Sequence, residues 1–171
     1  MKTKQLAIDA MLIAMCAVLG YVAIDLQVIK VTFESLPILI AALMFGPVDG
    51  MIVGGVGTLI YQLLRYGVSP TTLLWMAPYI ICGFIVGYVA KKNDFRLSNK
   101  QIMILVIVNE LLITILNTGV IYLDSKIFYY YFPGIITGSL VPRLIVCVVK
   151  AAAFGALLPV LRKSVQRAVN N

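Results

Sequence analysis

Arg143 and Lys150 lie seven residues apart inside one long apolar run, and Glu110 lies midway along the run before it. Charged side chains in such runs are costly and need a partner, a cavity or a route to the surface. Seven residues make nearly two helical turns, so Arg143 and Lys150 share a face. Pro142, just before Arg143, frees backbone groups and can kink a helix. Glu110 and Lys150 each sit about half-way through their runs, so an ion pair joining the two runs is expected. Arg143 is nearer the outer end and is expected to contact a ligand. A second group, Arg65, Tyr66, Trp75 and Tyr79, surrounds a Gly-Val-Ser-Pro loop. It reads either as an aromatic belt with Arg65 snorkelling, or as an aromatic slot with a cation at its mouth, suited to a flat anionic ligand. The run Tyr129-Tyr130-Tyr131-Phe132 reads as belt or gate.

Enzymatic chemistry finds little support. The chain has no histidine, the commonest general base and metal ligand. Asp9 and Asp49 fall near one face of the membrane, Glu34 and Asp124 near the other, and Glu110 lies between them without an evident carboxylate partner. Cys16, Cys82 and Cys147 each stand alone within an apolar run and read as small hydrophobes, so no metal site is expected. The Gly-Gly-Val-Gly at 54–57 lacks the lysine and spacing of a phosphate loop. Neither a catalytic residue nor a cofactor is expected.

The elements that must position these residues follow from hydropathy. The chain of 171 residues is 61% hydrophobic and 12% charged, with a mean hydropathy of +1.00. A soluble domain of this size could not cover that much apolar surface. Six apolar runs, at about 6–24, 36–46, 48–64, 73–90, 101–123 and 135–161, approach or exceed a membrane crossing, with one exception. The expectation is an all-α integral membrane protein, a six-transmembrane-helix bundle forming a single domain over 1–171. The exception is the second run. Its eleven residues rise only about 16 Å, roughly half of a hydrocarbon core. It must tilt, continue into Phe33-Glu34-Ser35, or stop part-way. The preceding stretch 26–35 alternates in part and is expected as extended chain over the outer face. The N-terminal run contains Asp9 and no persuasive cleavage site, so it is expected to be a retained first helix.

Six crossings put both termini on one side. With the termini inside, Lys2, Lys4, Lys91, Lys92, Arg96, Lys100, Arg162, Lys163 and Arg167 are cytoplasmic, against Lys30, Arg65 and Lys126 outside. Nine against three is a positive-inside bias. The net charge of +7 therefore belongs to membrane topology and lipid contact, and no nucleic-acid partner is expected. Small residues recur four apart, at Ala10 and Ala14, at Gly46, Gly50 and Gly54, at Gly83 and Gly87, and at Ala151 and Gly155. Such spacing lets helices approach closely. Most instances are expected to pack within the bundle. Ala10–Ala14 offers the alternative of a docking surface for another membrane subunit.

Phe33-Glu34-Ser35-Leu36-Pro37, Phe45-Gly46-Pro47-Val48-Asp49-Gly50 and Gly67-Val68-Ser69-Pro70-Thr71, with the Ala-x-x-x-Ala of the first run, carry a resemblance. The chain resembles the substrate-capture subunits (S components) of energy-coupling factor transporters, and these segments look like the folate-specific branch. The resemblance implies a membrane subunit of a bacterial cell that binds a vitamin from outside at high affinity. It implies a transmembrane coupling protein as partner, with two ATPase subunits on separate chains. It carries Ala10 and Ala14 over as the face toward the coupling protein, and implies that the whole subunit topples to release the vitamin inside. For folate, Tyr61, Trp75 or Tyr79 would stack on the flat rings. Asn117 or Glu34 would pair with the pterin edge. Arg65 and Arg143 would receive carboxylate or carbonyl oxygens, with Tyr66 beside Arg65. Riboflavin or thiamine relatives share the architecture. A self-sufficient secondary carrier is the reading from another class, although the six runs show no inverted repeat of broken helices.

Overall fold

The computed structural model describes residues 3–25 and 30–170. Lys2 and residues 26–29, which entered the charge and extended-chain expectations, lie outside them, as do the side chains of Lys30, Lys163 and Arg167. Six helices succeed one another: α1 (Thr3–Tyr21), α2 (Ser35–Phe45), α3 (Pro47–Tyr66), α4 (Thr72–Lys92), α5 (Asn99–Ile127) and α6 (Gly134–Asn170). Between α1 and α2, β1 (Ile24–Asp25) and β2 (Lys30–Val31) pair antiparallel, Ile24 opposite Val31. The fold is all-α, as expected. Five helices are long and apolar enough to cross a membrane, and α2 is the shorter sixth.

Helix ends follow local chemistry. A reciprocal capping box opens α5: Gln101 N–H donates to Ser98 Oγ, and Ser98 N–H donates to Gln101 Oε1. Pro47 starts α3 behind Gly46, whose φ of 110° is open to glycine and strained for other residues. α1 ends at Tyr21, before its apolar run does, because the β-branched end of the run turns into the extended pairing. α5 and α6 outlast their apolar runs. Asp124 and Ser125 continue α5 because both are hydrogen-bonded while buried.

The short second run resolves as burial. Ile38, Leu39, Ile40, Ala41, Ala42 and Leu43 of α2 are all buried, with α1, α3, α4 and α6 packed around them. A helix that stops part-way exposes its terminal backbone groups to protein here and not to lipid, which the hydrocarbon core would not tolerate. α3 and α4 approach through glycines. A methyl group on Gly50 would lie 2.6 Å from the Gly83 carbonyl oxygen, and one on Gly54 would lie 2.7 Å from that of Tyr79. Four-residue spacing of small residues thus sets the distance between these two helices. Ala10 and Ala14, by contrast, are exposed along α1 together with Met11, Met15 and Val18.

The start of α1 and the end of α6 lie at one end of the bundle, since the six helices alternate in direction. At that end Gln5 Nε2 donates to Asp49 Oδ1 at 2.8 Å, tying α1 to the first turn of α3. Arg162 of α6 donates to the carbonyls of Phe95 and Leu97, closing the α4–α5 turn. The opposite end gathers the turns α1–α2, α3–α4 and α5–α6.

Candidate functional site

The end opposite the chain termini holds a cavity of about 480 Å³, within the roughly 300–1,000 Å³ common for small-molecule sites. One face of α5 supplies Glu110, Thr114, Asn117, Ile121 and Asp124 to its wall. These positions fall at helical spacing on a single stripe. One face of α6 supplies Arg143, Val146, Cys147 and Lys150. Acceptors thus come from α5 and cations from α6. Tyr61 and Tyr66 of α3, Trp75 and Tyr79 of α4, and Thr32 and Glu34 before α2 complete the aromatic and polar sides.

The cavity has three levels. At the end nearest the α3–α4 and α5–α6 turns Asp124 is a buried acceptor, taking a hydrogen bond from Trp75 Nε1 at 3.2 Å and another from the Tyr130 hydroxyl. Burial, followed by this bond to Asp124, pushes the Tyr130 phenol up to about 12. At mid-depth Asn117 Nδ2 donates to the Tyr79 hydroxyl at 3.5 Å, and Arg143 Nη1 reaches Thr118 Oγ1 at 3.4 Å. Glu34 is buried here, with Thr32 Oγ1 donating to its Oε1 at 3.1 Å and Cys16 Sγ to its backbone carbonyl at 3.5 Å. Gly20 makes this packing possible, because a methyl group there would lie 2.7 Å from Glu34 Oε2 and 2.8 Å from the Tyr61 ring. At the floor Lys150 Nζ meets Glu110 Oε2 at 2.8 Å, with both side chains buried. This is the ion pair that depth within the runs pointed to.

Of the residues singled out from sequence, Glu34, Tyr61, Tyr66, Trp75, Tyr79, Asn117 and Arg143 line this one cavity. Arg65 does not. Its Nη1 donates to the Tyr21 carbonyl at 2.8 Å, and its guanidinium lies 5.9 Å from the Tyr66 ring. Arg65 therefore ties α3 to the end of α1, next to Tyr66 of the cavity wall. The aromatic run after α5 is divided. Tyr129 is exposed, Tyr130 turns to Asp124, and Tyr131 packs on Lys126, 4.6 Å from Nζ to ring centre.

Sequence reasoning missed Gln62, Ser69, Thr71, Thr114, Asp124 and Phe128 as lining residues, and gave Glu110 and Lys150 a structural role only. A signal was present. The polar residues 110, 114, 117 and 124 recur at helical spacing in an otherwise apolar helix. Among the described residues no group of three or more His, Cys, Asp or Glu could hold a metal ion.

None of the curated proteins matches the chain in sequence. Among solved structures, the chain is similar to one described as the crystal structure of FolT bound with folic acid. The TM-score is 0.66 and the identity 24%, over 92% of this chain and 90% of that one. At that identity the likeness shows a shared fold. The model of the substrate-specific component of ECF transporters matches residues 4–162, nearly the whole chain, and the chain belongs to that family of multi-pass membrane proteins.

Proposed function

We propose that the chain binds folate from the outer side of a bacterial cell membrane and delivers it to an ATP-driven importer. As a substrate-specific component it is a substrate-binding subunit and not an enzyme. The observation that carries the folate reading is the cavity itself. Aromatic side chains Tyr61, Trp75 and Tyr79 stand beside buried acceptors on α5 and a cation, Arg143, on α6. Flat rings stack on the aromatic walls, polar groups along one side of the pterin pair with Asn117 or Glu34, and Arg143 receives a carboxylate or carbonyl oxygen. Among the described residues Arg143 has no carboxylate partner, so its charge is available to a ligand. The likeness to folic-acid-bound FolT supports the same substrate.

In this reading the termini are cytoplasmic. Lys4, Lys91, Lys92, Arg96 and Lys100 crowd the end away from the cavity, consistent with positive residues inside. The exposed Ala10–Ala14 face of α1 docks on the transmembrane coupling protein, which two ATPase subunits drive. Reconstitution tests this. Labelled folate is expected to enter proteoliposomes only when the subunit is accompanied by its coupling protein and ATPases and supplied with ATP. Uptake by the subunit alone would establish a secondary carrier instead.

A further inference from the structure

We propose that the Glu110–Lys150 pair is the part of the cavity that reads the heterocycle, by grasping an N–H group and the carbonyl next to it. The inference rests on the vitamin-binding reading above and goes beyond it by assigning the ligand's chemical class at a site given so far only a structural role. A buried ion pair is well compensated when the remaining lone pairs find partners. Here they do not. Glu110 Oε2 is taken by Lys150 at 2.8 Å, while Glu110 Oε1 is buried with no hydrogen-bond partner among the described residues. Glu110 itself is 2% exposed and lines the cavity. A carboxylate oxygen left in this state calls for a donor, and the cavity is where a donor can arrive.

Lys150 makes the request more specific. Its ammonium carries three donors, of which one meets Glu110, and it lies 5.6 Å from the centre of the Phe154 ring. An acceptor oxygen and an ammonium side by side match a ligand edge on which N–H and C=O are adjacent. That edge is a lactam, as in the pyrimidinone half of a pterin or the corresponding ring of a flavin. Thiamine offers no such edge. The placement also orients the ligand. Arg143 lies seven residues before Lys150 on the same face of α6, about 10 Å nearer the outer end. The lactam edge therefore points to the floor, and the rest of the molecule extends toward Arg143.

A structural ion pair and a ligand-reading pair respond differently to replacement of both members. Exchange of a buried pair for apolar residues of similar size is often neutral when the pair only holds helices together. The test is calorimetric titration of wild type, Glu110→Met/Lys150→Met and Glu110→Lys/Lys150→Glu with folate, riboflavin and thiamine, with thermal unfolding of each as the folding control. Wild type is expected to bind folate. Both double variants are expected to lose tenfold to a hundredfold in affinity, the scale of a buried hydrogen bond to a charged group. The charge-exchanged variant keeps an ion pair between α5 and α6, so it decides the matter should the apolar variant fail to fold. Folate affinity within threefold of wild type in a folded double variant would overturn the inference and leave the folate reading intact. Wild type binding riboflavin in place of folate would overturn the folate reading alone, and the same comparison made with riboflavin would decide the inference. Binding of thiamine only would overturn both.

Discussion

Arg143 carries its charge half-way down the wall, where its Nη1 reaches a hydroxyl, Thr118 Oγ1 at 3.4 Å. A guanidinium placed so is worth most when a ligand oxygen completes it. Arg143→Ala is expected to weaken vitamin binding at least tenfold, about 1.4 kcal/mol, and calorimetry of the purified subunit would read it. Arg65→Ala is expected to change affinity by less than threefold, since that guanidinium is bound to the Tyr21 carbonyl; a tenfold loss would return it to the site. At this scale the cavity-lining residues most visible in the sequence were those anomalous one by one. A cation inside an apolar run, an asparagine inside another and a lone tryptophan each stand out against their surroundings. Arg65 was harder to read, because a loop-end arginine can turn toward a ligand or toward a neighbouring carbonyl, and here it reaches the Tyr21 carbonyl across the α1–α3 contact. Sequence reading passed over Thr114 and Asp124 because neither is unusual until the other members of the α5 stripe are read with it.

Among the elements, the α3–α4 contact and the segment after α5 make separate demands. α3 and α4 touch backbone to backbone at Gly50 and Gly83, and their spacing sets the distance between Tyr61 and Tyr79 across the cavity. Gly50→Val is expected to destabilise the subunit by about 1–3 kcal/mol, the usual scale of overpacking, seen as a lowered Tm in detergent. An unchanged Tm would mean that the helices part freely. Tyr130 holds the segment after α5 to Asp124 at the outer end. Tyr130→Phe is expected to speed vitamin dissociation about two- to tenfold, the worth of one ordinary hydrogen bond, in a stopped-flow chase. The Tyr130 phenol is raised from 10 to about 12. A group raised on folding supports the folded contact fully below its unfolded value and loses that support as pH climbs toward the folded one. The Tyr130 contribution to the dissociation rate is therefore expected to be flat from pH 6 to 9 and to fade only above about 10. Most of these elements were legible as apolar runs. The second was legible as a run but its surroundings were not, because hydropathy reports that a segment avoids water without saying whether lipid or protein replaces it. α2 is shorter than a crossing and enclosed on all sides.

The whole molecule separates an end that holds the cavity from an end that bears the start of α1, the end of α6 and most of the described basic residues, while α1 keeps an apolar face of Ala10, Met11, Ala14, Met15 and Val18 uncovered. An assembly on that face is independent of the cavity. Ala14→Trp is expected to abolish co-purification with the coupling protein while vitamin affinity stays within twofold; retained co-purification would remove α1 from the interface. The central claim is that the cavity between α3, α4, α5 and α6 takes a vitamin, and that the vitamin is folate. Trp75 is the sole tryptophan and lines that cavity, so its fluorescence reports occupancy directly. Folate, riboflavin and thiamine would be titrated separately, with correction for their own absorption. The account predicts a saturable change with folate at nanomolar concentration and none with the other two. Saturation by riboflavin or thiamine alone would contradict the folate assignment, and no response to any of the three would leave Trp75 and its neighbours a belt at the membrane surface.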